Sequence, residues 1–112
     1  MAYFLQAEGP NRPAQVEIGS QVYQAPVVLT GSGTHDFASV ADGAQSAITT
    51  LTVPGAALGD FAIASVGVSQ AGVILHAYVS ATNTVSVFVQ NESGGAVDLA
   101  STTLRVMVFK AF

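Results

Sequence analysis

The chain has 112 residues, enough for one domain with a single modest core and too few for two. Charged residues make up 9% of the sequence, against about 25% in typical globular proteins, and the net charge is −4. Three basic residues in all argue against nucleic acid and anionic membranes as partners, and the absence of cysteine excludes disulfides and thiolate chemistry.

The N-terminal third differs in amino-acid composition from the rest. Residues 1–33 carry three of the four prolines, and proline at that density blocks helices and interior strands. We therefore predict an extended arm over residues 1–33, with short strand pieces at 16–18 and 27–29. We interpret Gly31-Ser32-Gly33, at its end, as a flexible joint.

From His35 onward apolar and polar residues alternate, which is the signature of β-strands. This pattern predicts strands over residues 44–53, 61–69, 73–80, 85–89 and 103–109. Turns are predicted at residues 54–55, 59–60, 70–72, 82–83 and 91–95. Five or six short strands with turns every 8–12 residues or so predict an all-β body over residues 34–112. The predicted body is an antiparallel β-sandwich, jelly-roll-like, or a small barrel.

Several of the alternate positions that form the second face of these strands are apolar as well. The predicted core residues are Val85, Val87, Leu104, Val106 and Val108. The apolar residues that then point outward are Ile74, Tyr78, Phe88, Met107 and Phe109. A monomer rarely leaves such a patch exposed, so we expect the arm or a second subunit to cover it, or both if subunits exchange arms.

The low charge of the chain also favours association, because an uncharged surface is one that packs against protein. The alternative is a surface of Ser, Thr and Asn that faces water. The candidate interface residues lie in the arm and on the outward faces of the strands: Tyr3, Phe4, Leu5, Val16, Ile18, Ile74, His76, Tyr78, Phe88, Met107 and Phe109.

No pattern in the sequence indicates catalysis. A triad requires a nucleophile, a histidine and an acid in one place, and neither His35, in the connection to the body, nor His76, among apolar strand residues, indicates one. The seven acids are scattered rather than paired across a cleft, and no calcium-loop spacing occurs. Four acids lie in or beside predicted turns: Asp42, Asp60, Glu92 and Asp98. We therefore predict no enzymatic activity, no cofactor and no metal site.

Several turn and strand motifs point to a known family. They are Thr52-Val53-Pro54-Gly55-Ala56-Ala57-Leu58-Gly59-Asp60, Ala77-Tyr78-Val79-Ser80-Ala81, Thr84-Val85, Asn91 to Gly95, Val97-Asp98-Leu99-Ala100-Ser101 and Leu104-Arg105-Val106. The stretch that contains them, residues 36–108, resembles the capsid decoration (cement) proteins of tailed bacteriophages. The resemblance implies a β-sandwich or jelly-roll-like body, commonly a homotrimer. Such a body sits on the outside of the head and bridges neighbouring major capsid proteins.

The predicted function is accordingly that of a non-enzymatic virion protein on the outer capsid surface. No secretory signal or membrane span is visible, so we expect assembly in the host cytoplasm. The arm is expected to add a strand to an exposed sheet edge. The alternative is a phage tail or fibre module that binds a host receptor or glycan. A head-completion or scaffold role inside the particle and a small hydrolase or isomerase are further alternatives, the last the least favoured.

Overall fold

A computed structural model describes the backbone of residues 5–6, 15–18, 21–24 and 27–111, and the side chains of residues 27–111. These residues contain nine β-strands and no helix, which confirms the all-β prediction. The strands are β1 (Leu5–Gln6), β2 (Gln15–Ile18), β3 (Gln21–Gln24), β4 (Val28–His35), β5 (Thr49–Thr52), β6 (Phe61–Val66), β7 (Val73–Ala81), β8 (Thr84–Asn91) and β9 (Thr102–Phe109).

The strands form three-stranded antiparallel sheets. Two of them make the body, with the strand orders β4-β9-β6 and β5-β8-β7, and a third has the order β1-β2-β3. The prediction of a small barrel is wrong, because each body sheet is open and ends in edge strands that pair with no strand of the other sheet. Three strands are too few to close a sheet on itself.

The core lies between the inner faces of the two body sheets. The central strands β8 and β9 each turn alternate side chains inward, and those of Val87 and Val106 are at most 1% exposed. The five predicted core residues are all buried. Phe37, Val53 and Leu99, from loops that close the ends of the sheets, join the same apolar cluster. Burial of apolar surface in this one cluster is therefore what holds the two sheets together.

The interpretation of Gly31-Ser32-Gly33 as a flexible joint is wrong. Residues 31–33 lie inside β4, which pairs with β9 along its whole length from Val28 to His35. The glycines serve close packing: a Cβ atom on Gly31 would lie 2.7 Å from Val53 Cγ2 and 2.9 Å from the carbonyl oxygen of Thr52. The missing side chain lets β4 approach the end of β5 in the other sheet.

The predicted strand over residues 44–53 is shorter in the structure, where β5 begins at Thr49. The residues before Thr49 instead contact the C-terminal end of β8 through separate hydrogen bonds. The Ser46 amide donates to the Val89 carbonyl oxygen at 2.8 Å, and the Ser46 Oγ accepts from the Val89 amide at 3.0 Å. The serine hydroxyl replaces a ladder partner, so the chain stays pinned to β8 without forming a regular strand.

Asn91, predicted as the first residue of a loop, is the last residue of β8 and is fully buried. Its Nδ2 donates to the carbonyl oxygens of Val40 and Gly95 at 2.8 and 2.7 Å. Its Oδ1 accepts from the amide and hydroxyl of Ser93 at 2.9 and 2.7 Å. A buried amide must satisfy all of its hydrogen-bonding groups, and here it does so by joining two loops.

The predicted tight turn at Thr82-Asn83 is confirmed: it connects β7 and β8, and Asn83 has a φ of 60°. The Asn83 side chain accepts a hydrogen bond from the Gly55 amide at 2.8 Å. Its backbone exchanges hydrogen bonds with Val53 and Ala56, both at 2.8 Å. The hairpin is therefore fastened to the turn that follows β5, at the end of the body where β4 begins.

Gly31→Ala is expected to destabilise the protein by about 2 kcal/mol, because backbone and a packed valine stand where the new methyl group would lie. The matched control is Gly95→Ala, where a Cβ meets nothing within 4 Å; its effect is expected within about 0.5 kcal/mol. Urea unfolding of the two variants measures both. Equal stability of the variants would contradict the close packing of β4 on β5.

Candidate interaction surfaces

The outer face of the sheet β4-β9-β6 is apolar at one end. The strand register places Phe109 between Val28 and Phe61, and Met107 between Thr30 and Ile63. Phe61 is 66% exposed, Ile63 55% and Met107 39%. We name this surface the apolar face; it consists of Val28, Phe61, Ile63, Met107 and Phe109.

The apolar face gives way to polar residues along the same strands. The next row of the register is Ser32, Arg105 and Ser65, followed by the pair Thr34 and Thr103. Shallow grooves run on both sides of the ridge made by Arg105 and Met107. The face is therefore graded, with large apolar side chains at the Phe109 end and small hydroxyls at the other.

A buried ion pair fixes the apolar end of this sheet. Lys110 Nζ lies 2.6 Å from Asp60 Oδ2, and the two side chains are 11% and 4% exposed. Asp60 directly precedes Phe61 and Lys110 directly follows Phe109, so the pair joins the ends of β6 and β9. It thereby holds Phe61 and Phe109 side by side.

The Asp60 carboxylate is also a hydrogen-bond acceptor for the backbone. Burial alone would raise its pKa. The hydrogen bond from the Ala111 amide, with those from Lys110 and the Ala57 amide and the charge of Lys110, nevertheless keeps the pKa below its ordinary value. The carboxylate is thus held in its charged form by the fold around it.

The outer face of the other sheet, β5-β8-β7, is mixed in character. Ile74 and Tyr78 are exposed, whereas His76 is half-buried and stacks on Phe88 with ring centroids 4.7 Å apart. His76 Nε2 lies 3.2 Å from Gln90 Oε1. The other polar groups of this face pair with one another. The Ser86 and Ser80 hydroxyls are 2.7 Å apart, and the Gln90 amide donates to Glu92 at 3.0 Å. This face is better suited to water or a polar partner than the apolar face is.

The structure divides the predicted interface residues between two sides of the body. Met107 and Phe109 belong to the apolar face, and the other four are on the opposite sheet: Ile74, His76, Tyr78 and Phe88. In the arm, Leu5 is in β1 and Val16 and Ile18 are in β2. Tyr3 and Phe4 lie outside the described residues.

Sequence reasoning missed Phe61, Ile63 and Val28. A signal for the first two exists in the stretch Phe61-Ala62-Ile63-Ala64, where large and small apolar residues alternate. In β6 the alanines face the core and the large residues face outward. An inner face of alanines lets the sheets approach, so the large side chains are left on the outside.

Four exposed acids lie in the loops at the other end of the body: Asp36, Asp42, Glu92 and Asp98. Asp42 accepts a hydrogen bond from the Gly94 amide at 3.0 Å, which ties two of these loops together. Within residues 27–111 the acids form no group of three or more ligands that could hold a metal ion. The body thus has an apolar end and an acidic end.

Each of the two histidines contacts an aromatic ring. His35 packs edge-on against Phe37, with ring centroids 4.4 Å apart, and His76 contacts Phe88 and Gln90. Both rings therefore take part in packing contacts.

Comparison of the chain with protein-family models, with curated proteins and with solved structures found no match. The class that the structure itself defines is an all-β protein with two three-stranded antiparallel sheets around one core. Among the residues that the structure describes, none forms a helix with the length and apolar character needed to cross a membrane.

Asp60→Asn is expected to destabilise the protein by about 2–3 kcal/mol at neutral pH, because it leaves Lys110 buried without its charged partner. Since the folded-state pKa of Asp60 is lowered, the stability it contributes is present above its ordinary value of 3.8 and is lost as the pH falls through the folded-state pKa. The stability difference between wild type and Asp60→Asn should therefore shrink below pH 3.8.

Urea unfolding from neutral to acid pH measures this difference. The control is Asp98→Asn, which removes an exposed charge and should change little. If the difference in unfolding free energy between wild type and Asp60→Asn stays constant with pH, the carboxylate charge contributes nothing to stability.

Proposed function

We propose that the chain is a non-enzymatic structural subunit of a virus particle. In this proposal it is a decoration protein that binds the outside of a bacteriophage capsid and stabilises it by bridging major capsid proteins. The observation that carries the proposal is the apolar face, a group of large apolar side chains, most of them exposed, on the outer side of the sheet β4-β9-β6. The resemblance of residues 36–108 to decoration proteins supplies the identity of the assembly.

The apolar face supports a role in assembly for an energetic reason. Exposed apolar surface gains roughly 25 cal/mol per Å² when a partner removes it from water. Phe61 and Ile63, each more than half exposed, stand next to each other on β6 with Met107 beside them. Such a patch marks a surface that binds protein, and the low charge of the chain favours the same conclusion.

The body and the N-terminal strands have separate roles in the proposal. The body, jelly-roll-like in the family it resembles, presents fixed faces to its neighbours. Among the strands that the structure describes, β1 to β3 pair with one another and not with the body sheets, which is consistent with an arm that reaches a neighbour. Residues 28–33 of the predicted arm lie in β4, which pairs with β9 in the body. A homotrimer would repeat each weak contact and so strengthen attachment through avidity.

A tail or fibre module that binds a host glycan is the second candidate. It is favoured by Tyr78, an exposed aromatic ring on the same sheet face as the stacked pair His76 and Phe88. Aromatic rings in such positions serve as platforms for sugar rings. The face is small, however, and its neighbouring polar groups are paired with one another.

Capsid binding tests the first candidate. The full-length chain should sediment with capsids that lack it and raise the temperature at which they open. A chain of residues 27–112 should keep its β-sheet circular dichroism and lose most of the binding, because the arm is absent. Tyr78→Ala is the matched control and should bind as wild type does.

Failure of the full-length chain to bind capsids would overturn the proposal. Binding to host cells or glycans that Tyr78→Ala abolishes would favour the second candidate instead.

A further inference from the structure

Three rows of side chains cross the outer face of the sheet β4-β9-β6. One row is large and apolar, the middle row is mixed, and the third has a serine on each side of an arginine. From β4 to β6 the large row is Val28, Phe109 and Phe61, the middle row is Thr30, Met107 and Ile63, and the small row is Ser32, Arg105 and Ser65. The large and small rows lie at equal distances from the middle row, because each is two residues away along every strand.

Two grooves flank Arg105 in the small row, because the serine side chains beside it are short. The groove on the β4 side has a volume of about 470 Å³ and is lined in part by Thr30 and Ser32. The groove on the β6 side has a volume of about 200 Å³ and is lined in part by Ile63 and Ser65. Arg105 forms a wall of both, so the small row is open on each side of the arginine.

The large row carries projecting side chains on the same two strands as the grooves. Phe61 is 66% exposed and Val28 38%. Phe61 lies on β6, as Ser65 does, and Val28 lies on β4, as Ser32 does. The face therefore has a projection and a groove on each outer strand, on opposite sides of the middle row.

A two-fold axis along the middle row brings each projection to a groove. Rotation by 180° about a line that crosses the three strands at Met107 lays the face of a second copy on the first, with each strand over its own counterpart in the opposite direction. Phe61 of the second copy then lies over the groove at Ser65, and its Val28 lies over the groove at Ser32. The two faces stack about 10 Å apart, as the sheets of a sandwich do.

The charge on the face fits the same arrangement. Arg105 is exposed, and no acid of residues 27–111 forms an ion pair with it. In the two-fold contact its guanidinium faces Phe109 of the second copy, and a cation on an aromatic ring is attracted to it. The two arginines lie about 14 Å apart along the strands, so salt screens their repulsion. The face thus matches itself in shape and in charge, through residues of the body alone.

We infer that the apolar face is a two-fold interface, in which the face of one copy packs on the same face of a second copy. The inference rests on the proposed function in requiring a self-associating subunit, and it names the partner of the face. Capsid binding is then left to the arm and to the other surfaces of the body. Because each contact joins two copies, the assembly has an even number of chains, as when two homotrimers meet face to face.

The interface is small, so it should dissociate on dilution. Its three rows on three strands span roughly 10 by 14 Å between the outer Cα atoms. A stable interface of standard size buries roughly 800 Å² on each partner, which is more than this patch offers.

The native mass of the full-length chain, measured by light scattering over a wide dilution range, tests the inference. Wild type should have an even multiple of the 11.4 kDa chain mass in concentrated solution and lower masses on dilution. Ile63→Asp, in the middle row, places two carboxylates against each other at the axis and should prevent this contact at every concentration. Thr50→Asp, exposed on the outer face of the other sheet, adds the same charge as a matched control and should keep the wild-type mass.

An exchange of two residues on β6 tests the arrangement of the rows. Phe61→Ser removes the projection and Ser65→Phe fills the groove, so each alone should weaken association by about tenfold or more. The two substitutions together exchange projection and groove, so the double variant should regain the dilution profile of wild type. Circular dichroism checks the β-sheet content of each variant, and Phe61→Ser replaces Ile63→Asp if the latter loses it.

Three results would overturn the inference. Wild type that remains one chain at all concentrations would show that no second copy covers the face, as when the arm of the same copy covers it. An odd number of chains, or Ile63→Asp with the wild-type mass, would show that association uses another surface. A double variant as weak as the single ones would show that the rows do not face each other. None of these measurements uses capsids, so failure of capsid binding with the expected masses would overturn the proposed function alone.

Discussion

The packing of β9 on β8 is the contact on which the rest of the structure depends. Its inner residues Leu104, Val106 and Val108 join the valines of β8 in the core. Met107 lies between Val106 and Val108, and Phe109 follows Val108; both are apolar, so burying one face of β9 leaves apolar side chains on the other. A strand that is apolar on both sides is typical of a sheet covered on both sides. The body alone covers only one.

A largely buried ion pair stabilises the end of the sheet that carries the apolar face. Asp60 and Lys110 join the ends of β6 and β9, and the surrounding amides keep the carboxylate ionised. A buried pair adds little net stability over apolar residues, but it fixes a geometry, because breaking it leaves a charge unpaired. Here the geometry it fixes is that of Phe61 and Phe109. The four exposed acids of the loops lie at the other end, so charge and apolar surface are separated along the body.

Sequence reasoning recovers the part of the structure that depends on local pattern. Alternation predicts the core residues of β8 and β9, and Asn83 predicts the tight turn, because both follow from neighbouring residues. The role of Gly31 was mistaken, since a glycine in a joint and a glycine under a crossing strand look alike in sequence. The apolar face was recognised only in part. Its members come from β4, β6 and β9, and strand order is needed to bring them together.

Oxidation of Met107 by dilute peroxide, followed by mass spectrometry at several protein concentrations, tests the central claim that the apolar face is buried in the assembled protein. Met107 is 39% exposed in the single chain, so it should oxidise readily at high dilution and in urea. The predicted result is strong protection of Met107 once the chains associate, with Ile63→Asp unprotected at every concentration. Equal oxidation rates for wild type and Ile63→Asp in concentrated solution would contradict the account.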